Sequence, residues 1–198
     1  MIKKLQALKA KKGFTLVELV VVIAIIGVLA AILVPTMLGV VQDSRITSAD
    51  SAAAQIKNQT TNFLTQMDAA KKSLTNGTTT DAAPMKIVIT NGSWAVTNGP
   101  GSFGGGGTWN GTTDKNKDYA AYMKDVLGDI KNAYITVQLS QGKVVGVMYV
   151  DGYTSYSGGV NPTQAQYLAG SINWAGSKAG IDGSQFIVGT APKLQKGE

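Results

Sequence analysis

Apolar and polar positions divide the chain into three stretches of different character. Residues Phe14–Val34, FTLVELVVVIAIIGVLAAILV, hold only Thr15 and Glu18 as polar members. As a helix this run spans ~32 Å, about the hydrocarbon thickness of a bilayer. Past Pro35 the composition turns polar, yet a helical period persists. Ile46, Ala49, Ala53, Ile56, Thr60, Phe63, Met67, Ala70 and Leu74 recur at steps of three and four and form one stripe. Asp43, Arg45, Lys57, Asp68, Lys71 and Lys72 lie opposite it, and Asn76-Gly77 supplies a stop. The pattern predicts one helix from Phe14 to Leu74, apolar all round at first and then amphipathic, with its stripe packed on the domain that follows. Pro35 removes a backbone donor inside it and kinks or breaks a helix at about 3 kcal/mol or more. Gly27 is a second weak point.

Residues 75–198 contain 21 of the 24 glycines and short β-rich runs. Lys86–Thr90 and Trp94–Val96 flank Asn91-Gly92 and read as a hairpin with a tight turn. Ala133–Leu139 and Lys143–Val150 read as a second hairpin around Ser140-Gln141-Gly142, and Ser184–Val188 as a further strand. Asp118–Leu127 is an expected helix ended by Gly128. Asn161-Pro162 opens another through Leu168, with Asn as N-cap and Pro at the first position. The expected fold is α+β: a long N-terminal α-helix packed on an antiparallel β-sheet head. The expected divisions are a basic leader over 1–13, a membrane and assembly half of the helix over 14–41, its amphipathic half over 42–75, and a β-rich head over 76–198.

The formal net charge of +6 changes meaning once it is located. Lys3, Lys4, Lys9, Lys11 and Lys12 contribute +5 before Gly13, leaving only +1 for the rest. A basic tail before an apolar run fits a cytoplasmic anchor under the positive-inside rule. Nucleic-acid binding would need clustered basic residues on the folded part, and they are not there. Histidine and cysteine are absent. That excludes disulfides, a lipid-bearing cysteine, Cys or His metal sites, Cys nucleophiles and His-based triads. No convincing cluster of carboxylates, lysines and hydroxyls replaces them, so an enzyme is not expected. Gly99–Gly107 lacks the Gly-Lys-Ser/Thr ending of a phosphate loop and reads as a surface loop. Asp114, Asn116, Asp118 and Asp125 are spaced like parts of a calcium loop, but Tyr119 stands where that loop needs glycine. A helix N-terminus with acids in its first turn is the favoured reading there, and calcium the lesser.

Glu18 is the residue that a plain anchor does not explain. A charge near the bilayer centre costs roughly 2.5–3.5 kcal/mol, less toward an end, and wants a partner. The apolar core of an ordinary secretory signal is also shorter, ~7–15 residues. A cut after Gly13 would give Phe14 a free, largely protonated amine four residues from Glu18, on one helix face. An amine–carboxylate pair between neighbouring helices would offset the desolvation of both, which predicts lateral self-association.

The segment KKGFTLVELVVVIAIIGVLAAILVP resembles the class III signal sequence of type IV pilins and pseudopilins. The resemblance covers the basic leader, Gly13, Phe14, Thr15, Leu16, Glu18, the apolar stretch, Gly27 and Pro35. It implies that a prepilin peptidase cleaves between Gly13 and Phe14 and methylates the Phe14 amine. It further implies assembly through Phe14 and Glu18, with helical order lost between Gly27 and Pro35 in the filament; a static kink is the alternative. The implied partners are copies of the chain itself, the peptidase, an assembly platform with minor pilins, and the membrane before assembly. The implied locations are the cytoplasmic membrane for the precursor and the cell surface for the filament. The expected function is a structural subunit of a type IV pilus without a cofactor. The alternatives are a pseudopilin of a secretion or competence system, or a tip pilin with an adhesive head. Many Gram-negative pilins close a C-terminal loop with a disulfide; here packing and hydrogen bonds must do so. Ala191–Glu198 carries no sortase motif, which favours non-covalent assembly. Only Phe14 and Phe63 among the aromatics fall in the long helix, so core and surface contacts explain the rest better than electron conduction.

Overall fold

The computed structural model describes residues 13–69, 84–97, 115–140, 143–153, 156, 161–173, 180 and 186–197. Helix α1 runs Leu16–Ala69, 54 residues without interruption at Gly27 or Pro35. It starts two residues later than the apolar run suggests, because Thr15 serves as its N-cap. The expected end at Leu74 lies outside the described residues. The chain divides into two compact units, one up to Asp43 and one from Ser44. The second half of α1 therefore belongs to the head.

Within the second unit, β1 (Met85–Thr90), β2 (Ser93–Thr97), β3 (Ala133–Ser140), β4 (Lys143–Asp151) and β6 (Val188–Ala191) form an antiparallel sheet ordered β2-β1-β3-β4-β6. Asn91 (φ 50°) and Gly92 (φ 75°) occupy the left-handed region between β1 and β2, as a two-residue primed turn requires. Both predicted hairpins stand within a residue or two of their expected bounds. Helix α2 spans Lys115–Val126, three residues earlier than expected at its start.

Three elements differ from expectation. Helix α3 is Gln164–Ala169, and its N-cap is Thr163 rather than Asn161. Thr163 and Gln166 exchange side-chain-to-backbone bonds as a capping box, which satisfies two end donors and places Pro162 before the cap. The strand expected at Ser184–Val188 begins instead at Val188, where Val150 pairs with it, and runs to Ala191 opposite Val147. Residues 181–185 lie outside the described set. The parallel pair β5 (Ser171–Ile172) and β7 (Gln195–Lys196) has no counterpart in the sequence reading.

The sheet is buried on both faces. On one, Ile87, Ile89, Ile135, Val137, Val147 and Tyr149 meet Ala49, Ala53, Ile56, Phe63, Leu64 and Met67 of α1 and Tyr119 and Met123 of α2. On the other, Tyr134, Met148, Val150 and Val188 meet Tyr156, Tyr167, Ile172 and Leu194. Alternation along the strands divides their side chains between these two layers. Ile46, Ala49, Ala53, Ile56, Thr60, Phe63 and Met67 are buried, so the described part of the stripe is the packing face. Thr60, its polar member, donates to the Ile56 carbonyl at 2.7 Å, and its Oγ1 lies 2.7 Å from the Tyr119 hydroxyl. The α1 backbone also comes close to the sheet: a Cβ on Gly189 would overlap the Ala49 peptide.

Candidate assembly site at the start of the long helix

The first residues of α1 form a closed local network. Leu16, Val17 and Glu18 are the first three helical positions, and their backbone N–H groups have no intrahelical acceptor. Thr15 Oγ1 accepts from the Glu18 nitrogen at 3.2 Å. Glu18 Oε2 in turn accepts from the Thr15 nitrogen at 2.9 Å and from the Thr15 hydroxyl at 2.7 Å. This is a reciprocal capping box, with the carboxylate also at the positive end of the helix dipole. Both bonds fall on Oε2, and Glu18 is exposed. The pattern Thr-x-x-Glu over 15–18 was the available sequence signal for this cap, and reading Glu18 only as the partner of a Phe14 amine missed it.

Gly13 and Phe14 precede the helix, and Phe14 is 84% exposed. Gly13–Phe14 is a peptide bond here, so the nitrogen of Phe14 carries no charge and Glu18 is engaged by Thr15 instead. A Cβ on Gly13 would meet nothing within 4 Å, so the fold itself does not require glycine there. The same holds at Gly27, where a helix interior would favour alanine by about 1 kcal/mol.

Beyond the cap, the large apolar residues from Leu16 to Val41 are exposed. An 18-residue window in this helix reaches a mean hydropathy of 3.1, long and apolar enough to cross a membrane. Pro35 leaves the Ala31 carbonyl without its usual donor. One residue on, the Thr36 hydroxyl donates to the Leu33 carbonyl at 2.8 Å and adds a backbone tie next to the proline.

In the head, no group of three or more Asp or Glu that could hold a metal occurs among the described residues. Lys115–Val126 is helical, unlike the twelve-residue loop on which the calcium reading rests. Asp125 is exposed on that helix, while Asp114 and the side chains of Asn116 and Asp118 lie outside the described residues. A groove lies between Pro84, Gln138 and the start of α3, lined by carboxamides and apolar groups without a charged side chain.

Residues 8–34 match the family described as the prokaryotic N-terminal methylation motif. Two curated relatives, each called fimbrial protein and both from Pseudomonas aeruginosa, are 46% identical over 50 residues, or 25% of this chain. The chain spans 32% of the length of these relatives. No solved structure matches. The matched segment begins in the basic leader and contains the cap, Glu18 and most of the exposed apolar run.

Proposed function

We propose that this chain, whose N-terminal segment carries the methylation motif of type IV pilins, is a structural subunit of a type IV pilus rather than an enzyme. A peptidase cuts after Gly13, the new Phe14 amine is methylated, and the subunit waits in the cytoplasmic membrane on its apolar helix. Subunits then leave the membrane and bundle these helices, placing the polar heads outside on a cell-surface filament.

The observation that carries this reading is the motif itself, set at the mouth of an exposed, membrane-length apolar helix. The geometry supplies a rationale for each part. Because Thr15 caps the helix, the Gly13–Phe14 bond lies outside it, where a peptidase can bind the chain as an extended segment. The glycine requirement at position 13 belongs to that enzyme, since nothing in the subunit opposes a larger residue. After cleavage the Phe14 amine is the cation that Glu18 of a neighbouring copy pairs with. The Thr15 bonds offset part of the desolvation of Glu18 while it is still in the bilayer.

Glu18→Ala tests the reading. Expected is normal removal of the leader together with a loss of most sheared surface filament. Filament at the parental level would contradict the role given to Glu18.

A further inference from the structure

The groove beside α3 follows from how that short helix is seated. Met85 pairs with Val137, so Pro84 stands next to Gln138 where β1 begins. Gln138 pairs with Gly146 of β4, and the Tyr167 ring lies so close to Gly146 that a Cβ there would overlap it. This contact sets α3 on β4 and leaves a cavity of about 520 Å³ over the neighbouring end of β3, between Pro84 and the residues Asn161, Gln164 and Leu168. The volume falls within the ~300–1,000 Å³ of ligand sites.

Three carboxamides reach the cavity from three parts of the chain. Gln138 is buried in β3, where an apolar side chain would pack without needing a partner, and its Nε2 donates to the Leu139 carbonyl at a long 3.4 Å. Gln164 is held by its bond to the Ser140 hydroxyl at 3.0 Å. Asn161 is half-buried, and its Oδ1 is shielded from water with no hydrogen-bond donor among the described residues. An idle, desolvated acceptor destabilises the free protein. Rotation of the amide about its last bond turns that acceptor toward a ligand N–H.

The other lining residues are mainly apolar, with Leu168 left 73% exposed beside Pro84 and Pro162. Among the described residues that line the groove, none is charged and none is aromatic. These facts sort the ligand classes. A phosphate or carboxylate finds no cation here and an amine no carboxylate, while a sugar ring finds no aromatic face. A peptide group carries one donor and one acceptor and matches a carboxamide in both. The prolines and Leu168 offer apolar surface to an aliphatic side chain.

We propose that this groove binds an uncharged, extended polypeptide segment of a partner protein. Its backbone amides pair with the carboxamides of Gln138, Asn161 and Gln164, and an aliphatic side chain rests against Leu168 and the prolines. The site belongs to the head and does not depend on whether the chain polymerises.

The chain has no cysteine, so Ala169→Cys, exposed on α3 beside the groove, gives one thiol for an environment-sensitive fluorophore. The labelled full chain in detergent is titrated with pools of capped pentapeptides. One pool contains only Gly, Ala, Val, Leu, Pro, Ser and Asn; two others add one Lys or one Glu to each peptide, and maltopentaose serves as a neutral sugar. Expected is a saturable fluorescence change with the uncharged pool, about tenfold weaker with either charged pool and absent with the sugar. Leu168→Ala should weaken the response about fivefold without changing the melting temperature, because this side chain is exposed. Asn161→Ala should weaken it as well. No saturable change with the uncharged pool, an equal response to a charged pool, an equal response from Leu168→Ala, or saturation by the sugar instead overturns the proposal.

Discussion

Thr15 shows how much one side chain does at the residue scale. It terminates α1, holds Glu18 and keeps the Gly13–Phe14 bond out of the helix. Thr15→Val should cost about 1 kcal/mol of helix stability and lower filament yield, and Thr15→Ser should restore both; equal yields from all three would remove the role. The tyrosines of the head make a second prediction. Burial pushes the phenols of Tyr119 and Tyr167 up from the ordinary 10.0, and at Tyr149 burial is joined by its bond to Asp151. The folded state keeps protons that the unfolded state releases, so this contribution is intact below about pH 10 and is lost as pH rises beyond it. Melting temperature measured from pH 8 to 11 should fall above 10. Tyr167 OH has no hydrogen-bond partner among the described residues. Tyr167→Phe should therefore cost little at neutral pH and flatten the alkaline decline.

The scale of elements shows which signals a sequence transmits. The stripe from Ile46 to Met67 was legible because a 3.6-residue period repeats over six turns, and one buried threonine does not break it. The β1–β2 hairpin was legible because Asn91-Gly92 supplies the two positive φ values its turn needs. Helix α3 was misplaced because two cap signals overlap within three residues, and the reciprocal Thr163–Gln166 box outweighs Asn161-Pro162. Strand β6 was misplaced because its position is set by pairing with β4 and by contact with α1, neither of which its own residues announce. Gly189 carries that contact. Gly189→Ala should destabilise the head by about 1–3 kcal/mol through overpacking against backbone, read as a lower melting temperature. The same substitution at Gly27, where a Cβ meets nothing, should leave head stability unchanged.

In the whole molecule, the absence of cysteine shifts the burden of closing the C-terminal segment onto weak bonds. Leu194 is buried, and its nitrogen donates to Thr190 Oγ1 at 2.9 Å. The Gln195 and Gly197 nitrogens donate to the Gly170 and Ile172 carbonyls. Lys193 Nζ lies 3.0 Å from Asp50 of α1, whose other oxygen accepts from the Thr190 nitrogen. These ties connect the last residues both to the sheet and to the long helix. The β5–β7 pair that results joins two strands of two residues each across more than twenty positions, too short and too distant for any local pattern to reveal. Leu194→Ala should cost about 2–5 kcal/mol, and proteolysis should then begin at the C-terminal end; unchanged resistance would show that the segment is held by something else.

The proposed function requires the chain to exist in two forms, a precursor whose Phe14 nitrogen is in a peptide bond and a mature subunit that begins at the Phe14 amine. Intact-mass spectrometry of protein sheared from the cell surface tests this most directly. The expected species begins at a methylated Phe14 and dominates the sheared fraction. A chain still starting at Met1 on the surface would contradict cleavage at Gly13, and with it the pairing of Glu18 and the filament built on it.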